Sequence, residues 1–184
     1  VEVELRDRVA THPGGDRSGQ ARSRRLPQSP VQVGLLDRGA GAVGSGDEWN
    51  SRRIRREIDT LTPLLADCQV LAVLADNCPA WVVADLAALE AGITQLPLPV
   101  FFTPAQMAHA LAATASDALL TDQPKVAAAL SADFAPVAVW NGLTLFKRKI
   151  AAVALPEGSA KISFTSGSTG NPKGVCLSFD GLVD

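Results

Sequence analysis

The sequence predicts an α/β fold in which helices flank a parallel sheet, preceded by an irregular or disordered N-terminal stretch. Three observations lead there. From Glu57 onward, short apolar runs of strand length alternate with segments of helical periodicity. That rhythm implies right-handed crossovers and a parallel sheet covered on both faces. The 184 residues, 47% of them hydrophobic, suffice for one domain with a buried core. Residues 13–50, by contrast, are rich in Gly, Ser, Arg and Pro and lack apolar periodicity outside Val31 to Leu36. Such a stretch buries too little surface to offset its ordering entropy.

The ordered part reads as follows. Ile58, Leu61, Leu64 and Leu65 recur at helical spacing. Val70 to Leu74 is a buried strand. The next helix, Ala80 to Ala91, opens at Asn77 as a cap with Pro79 in its first turn, and stops at Gly92. Ile93 to Leu98 is the second strand. Thr103 and Pro104 start a helix that carries Met107, Ala110 and Leu111 inward. Ala118 to Thr121 is the third strand and Pro124 to Leu130 a helix. Val137 to Trp140 is a fourth strand, Leu143 to Phe146 a candidate fifth, and Ala160 to Phe164 the strand that leads to the chemistry.

Charge usage divides the chain into residues 1–56, an Arg/Gly/Ser-rich segment, and residues 57–184. Residues 1–60 hold 11 arginines and no lysine, whereas the remainder holds one arginine and five lysines. Arg22, Arg24, Arg25 and the run Arg52 to Arg56 are readable as a binding arm, although Asp47, Glu48 and Glu57 dilute it. The alternative is a loop, or a stretch not native to the fold. A net charge of −2 argues against nucleic acid as a partner. Cys68, Cys78 and Cys176 form neither a disulfide framework nor a zinc pattern, and read as small core residues. His12 and His109 are too few for a metal cluster, so no metal-ligating residues are expected; His109 has no acidic neighbour and reads as a surface or half-buried side chain. No run reaches a membrane-spanning length and no signal peptide is visible, so a cytoplasmic setting is expected. Trp81 reads as core, Phe101 and Phe102 as a packed turn, and Lys147 to Lys149 as a solvated face.

The informative segment is Thr165-Ser166-Gly167-Ser168-Thr169-Gly170-Asn171-Pro172-Lys173-Gly174. Its glycines allow backbone N–H groups to turn towards an anion. Its hydroxyls donate to phosphate oxygens, Lys173 adds a mobile point charge, and Pro172 stiffens the exit. A segment following a strand also lies where open α/β sheets bind ligands. Other phosphate loops fail on spacing. Pro172 stands where Walker A needs glycine before the lysine, Gly174 follows Lys173 instead of a hydroxyl residue, and the dinucleotide Gly-x-Gly-x-x-Gly is absent. Gly167 to Gly170 matches the bare Gly-x-x-Gly of a KH domain, without its basic context.

The segment Phe164 to Val175 closely resembles the signature loop of the adenylate-forming (AMP-binding) superfamily, which includes acyl-CoA synthetases, peptide-synthetase adenylation domains and firefly-type luciferases. Leu74 to Trp81, Ala88 to Gly92, Leu96 to Leu98 and Asp117 to Asp122 resemble further parts of that family, so the likeness runs from about residue 57 to residue 178. It implies the first part of the large N-terminal domain of an adenylate-forming enzyme, ending just after the phosphate loop. The implied reaction is ATP-dependent activation of a carboxylic acid, a fatty or other organic acid, to acyl-AMP with pyrophosphate release. Thioester formation with CoA then follows. The alternatives are an adenylation module that loads a phosphopantetheine carrier protein, and a nucleotide-binding α/β domain without catalysis. Thr165, Ser166, Gly167, Ser168, Thr169, Gly170 and Lys173 would hold the ATP phosphates while Mg2+ neutralises them. Phe179 stands where the family has His or an aromatic residue by the acid pocket, and would be a wall there. The family's catalytic lysine would lie beyond residue 184, so the chain alone is expected not to turn over. Residues 13–50 do not match the family's opening strands.

Overall fold

The computed structural model describes residues 6–7, 49–165 and 172–183. Order begins earlier than the helical periodicity suggests. Trp49 is buried, with the Arg53 guanidinium 4.3 Å from its ring centroid, and Asn50 accepts a 2.9 Å bond from Arg53 N to cap helix α1 (Ser51–Leu61). The run Arg52 to Arg56 is therefore one helical surface. Arg55 reaches Glu90 through two 2.8 Å bonds and Asp59 through one of 3.1 Å, which ties it to the fold. The irregular stretch expected over residues 13–50 thus ends in ordered structure at Trp49 and Asn50, and its residues 13–48, with Arg22, Arg24 and Arg25, lie outside the described residues.

Helix α1 buries Ile58 and Leu61, and a 3-10 turn (Thr62–Leu65) adds Leu65. Strand β2 (Val70–Leu74) follows, with all five residues buried. Its start is held by Asp117, whose carboxylate accepts from Gln69 N and Val70 N at 2.9–3.1 Å. Helix α2 (Pro79–Ala91) has Cys78, not Asn77, at its cap, without a side-chain bond; Pro79 at the first turn makes the cap less critical there. Gly92 ends it at φ 69, the left-handed geometry glycine adopts at least cost. Strand β3 (Thr94–Pro97) and helix α3 (Pro104–Ala113) come next, α3 closed by a full capping box between Thr103 and Gln106. Then follow β4 (Ala118–Thr121) and α4 (Pro124–Leu130).

The chain then departs from a parallel rhythm. Strands β5 (Ala135–Trp140) and β6 (Leu143–Lys147) form a hairpin, with β6 antiparallel to β4. The connection is Asn141-Gly142, at φ 47 and 81, the pair that matches the twist of antiparallel strands. Strand β7 (Ser159–Thr165) rejoins the parallel core beside β3, and β8 (Lys173–Ser178) returns antiparallel to it, before the single turn α5 (Asp180–Val183). With the two-residue β1 (Arg6–Asp7) on the far side of β8, the described strands form one sheet in the order β1-β8-β7-β3-β2-β4-β6-β5. The expected parallel sheet is the centre of this one, β7-β3-β2-β4. Its flanks are mixed because two of the connections are too short for a crossover.

Alternation along the strands divides the core in two. Leu71, Val73, Ala118, Leu120, Leu143 and Leu145 face α1 and α2. Val70, Ala72, Leu74, Leu96, Leu119 and Ile162 pack with Met107, Ala110 and Leu111 of α3, the inward residues the sequence indicated. Phe102 joins this second cluster, whereas Phe101 is 79% exposed, so only half of that pair packs. Of the run Lys147 to Lys149, Lys149 is exposed, whereas the other two are engaged with the fold. Lys147 Nζ donates to Ala66 O at 2.9 Å, and Arg148 donates to Ser116 O at 2.7 Å and Leu111 O at 3.0 Å while lying 4.4 Å over the Phe134 ring. The carbonyls of Leu111 and Ser116, in the last turn of α3 and just beyond it, draw the guanidinium inward, and burial pushes its pKa below the usual arginine value. Among the described residues, no helix is long and apolar enough to cross a membrane.

Candidate functional site

Strands β2, β3, β4 and β7 run parallel, so their carboxyl ends share one edge of the sheet, and β7 delivers Thr165 there. Thr165 is the Cα partner of Lys173, and the adjacent rung pairs Phe164 with Gly174. The segment 166–172 thus springs from a closed pair of antiparallel strands. Thr165 Oγ1 donates to Lys173 O at 3.4 Å across the last rung. Both residues are exposed, while Phe164, Pro172 and Gly174 are buried. This alternation is what the site requires: polar side chains of the rung face solvent, and the neighbouring rung is anchored in the core. The expected residues Ser166, Gly167, Ser168, Thr169 and Gly170 lie outside the described residues.

Phe164 belongs to the cluster beneath α3, where His109 meets its ring edge-on at 6.5 Å between centroids and 86° between planes. Sequence reasoning left His109 without a role; the contact joins residues far apart in the chain and has no local signature. On the opposite face, Lys161 pairs with Asp85 at 2.8 Å and lies 5.7 Å over Trp81, so Trp81 is a half-buried support for an ion pair. Gln95, 1% exposed and in register with Lys161, has no partner for either side-chain polar atom among the described residues.

Phe179 is not brought to Thr165 or Lys173. Strand β8 runs away from the loop, and its last residue, Ser178, pairs with Ser159 at the start of β7. That end is roughly 17 Å along the strand from Lys173, at about 3.4 Å per residue. Phe179 is half-buried there, its N–H donating to Gly158 O at 3.1 Å. A cleft of about 220 Å³ also opens at the amino ends of the strands, but its hydroxyls are already engaged, Thr94 with Ser159 O and Thr114 with Ala110 O. Among the described residues, no three His, Cys, Asp or Glu side chains are grouped to hold a metal ion. Cys68 and Cys78 are half-buried and Cys176 is buried, and none of the three is in a disulfide.

Comparison with known proteins agrees with the loop. The family model described as AMP-binding enzyme matches residues 65–184. The FR901469 synthetase of Dothideomycetidae sp. (strain 11243) is 33% identical over 144 residues, 70% of this chain and 1% of that protein. The nonribosomal peptide synthetase tcpP of Claviceps purpurea (strain 20.1) is 31% identical over 150 residues, 70% of this chain and 7% of that protein. Among solved structures, the amide bond synthetase McbA from Marinactinospora thermotolerans superposes with a TM-score of 0.59 at 26% identity, over 75% of this chain and 32% of that one. The chain thus spans a small part of these peptide synthetases and about a third of the amide synthetase. With the family model covering most of the chain and Thr165 and Lys173 paired at the carboxyl edge of a matching sheet, the chain belongs to the AMP-binding enzyme family, the adenylate-forming superfamily.

Proposed function

We propose that the chain is the phosphate-gripping part of an ATP-dependent ligase that activates a carboxylic acid as its adenylate. The observation that carries this is the rung Thr165–Lys173, set at the carboxyl edge of four parallel strands and bounding a Gly- and hydroxyl-rich segment. In the proposed reaction, a substrate carboxylate oxygen attacks the α-phosphorus of ATP, the bond from that phosphorus to the β-bridging oxygen breaks, and pyrophosphate leaves. Thr165, Ser166, Ser168, Thr169 and Lys173 hold the β- and γ-phosphates, with the amides of Gly167 and Gly170 free to approach them. Their contribution is to fix the leaving group and neutralise its growing charge, which requires no protein nucleophile. Magnesium comes in with the nucleotide as part of the substrate.

The acyl group then passes to a thiol. The nonribosomal peptide synthetase relative supports a phosphopantetheine arm of a carrier protein as acceptor, in preference to free coenzyme A and fatty-acid chemistry. Three cysteines outside any disulfide fit a reducing, cytoplasmic setting. Calorimetric titration with inorganic tripolyphosphate, ATP and AMP tests the loop. Tripolyphosphate and ATP should bind and AMP far more weakly. Lys173→Ala should weaken tripolyphosphate about tenfold, the worth of one hydrogen bond to a charged group. Equal affinity of the two proteins for tripolyphosphate would overturn the assignment.

A further inference from the structure

We propose that His109 is a positioning residue for the Thr165–Lys173 rung, acting through Phe164. The proposal rests on the reading of that rung as part of a phosphate site. Phe164 immediately precedes Thr165, and its ring is buried, with 7% exposure. Its cross-strand partner is Gly174, which has no side chain, so β8 offers nothing to brace the ring at that rung. An aromatic residue opposite a glycine needs its lateral support from another layer. Helix α3 supplies it: the His109 ring meets Phe164 edge-on, at 6.5 Å and 86°, the arrangement that the charge distribution of aromatic rings favours.

The platform behind His109 is firm. The capping box of Thr103 and Gln106 fixes the start of α3, and Met107, Ala110 and Leu111 bury its inner face. His109 itself is half-buried, and among the described residues its imidazole makes no hydrogen bond, so ring contact is what it contributes. Thr165 follows Phe164 directly in β7 and shares its rung with Lys173 of β8. The Thr165 hydroxyl reaches Lys173 O at 3.4 Å, at the long limit for such a bond. A tilt of Phe164 therefore moves Thr165, and with it the backbone from which Lys173 starts. His109 touches no substrate in this account; it sets the geometry of residues that do.

The test compares wild type, His109→Ala and His109→Phe by two measurements. The first is amide hydrogen exchange without ligand. His109→Ala should speed exchange at Phe164, Thr165, Lys173 and Gly174 and leave Ser159 to Ile162 unchanged; His109→Phe, which keeps an aromatic edge, should restore the wild-type pattern. The second is calorimetry with inorganic tripolyphosphate. His109→Ala should weaken binding about fivefold, within the range of an edge-to-face pair, and His109→Phe should recover it at an unchanged thermal midpoint. Unaltered exchange in His109→Ala, or an equal loss in His109→Phe, would overturn the positioning role. If the wild-type chain ignores tripolyphosphate, the phosphate-site reading falls, while the exchange pattern still decides whether His109 sets the rung.

Discussion

Asp117 shows how one side chain can set the start of a strand. Its carboxylate takes the Gln69 and Val70 N–H groups at the entry to β2, and β2 is the strand on which both halves of the core are built. Asp117→Ala leaves the half-buried donor of Val70 unmatched, and we expect a loss of about 2 kcal/mol in urea unfolding. Asp117→Asn, which keeps one acceptor oxygen, should lose clearly less. Cys68 offers a chemical readout nearby. Burial pushes its thiol pKa up, as does Asp117, while Lys147 opposes them. A raised pKa means less thiolate at any pH below it, so iodoacetamide should modify Cys68 more slowly than a free thiol at mildly alkaline pH. The rate should keep climbing past the pH at which a free thiol levels off. Lys147→Met removes the opposing cation and should slow the reaction further.

At the level of elements, the turns and caps decide topology. The β5–β6 hairpin depends on Asn141-Gly142, and Gly142 stands at φ 81 with open space where a Cβ would project. Gly142→Ala therefore tests backbone conformation without a clash, and should cost about 1–2 kcal/mol in thermal or urea melting, the left-handed penalty of an L-residue. The same pair explains what the sequence left hidden. Helices α2, α3 and α4 and strands β2, β3, β4 and β7 were legible because period, proline and cap signals are local. The direction of β6 was not, since alternating strands and helices suggested crossovers, and the Asn-Gly pair was the one local sign of a hairpin. Strand β8 returns antiparallel to β7 and carries Phe179 to the other end of the sheet from Lys173. Thr165 and Lys173, which the ladder pairs on one rung, were singled out by residue type and spacing. His109 was not, because its partner Phe164 lies in a different layer of the fold.

The whole molecule is asymmetric about its sheet. Strands β2 and β4 are wholly buried, whereas β5 closes one side as an edge strand with Val137 53% and Val139 74% exposed. An irregularity between Pro136 and Ala138 interrupts its pairing, and a proline near an edge limits but does not abolish its capacity to pair with another chain. Val139 lies opposite Thr144, away from the inward pair Trp140 and Leu143. Its side chain therefore adds little to the core and much to the stickiness of the edge. Val139→Lys should slow aggregation on warming, read by light scattering, because a charge at an edge makes strand addition unfavourable. Its cost in stability should stay below about 1 kcal/mol, given the exposure of the site. Trp140→Ala, one residue further on, provides the contrast. That ring is 6% exposed and its indole N–H donates to Thr60 Oγ1 at 3.1 Å, so its removal should cost about 3–5 kcal/mol and raise aggregation by loosening the fold. If Val139→Lys aggregates as fast as wild type while folding equally well, the open edge of β5 is not the route by which these molecules associate.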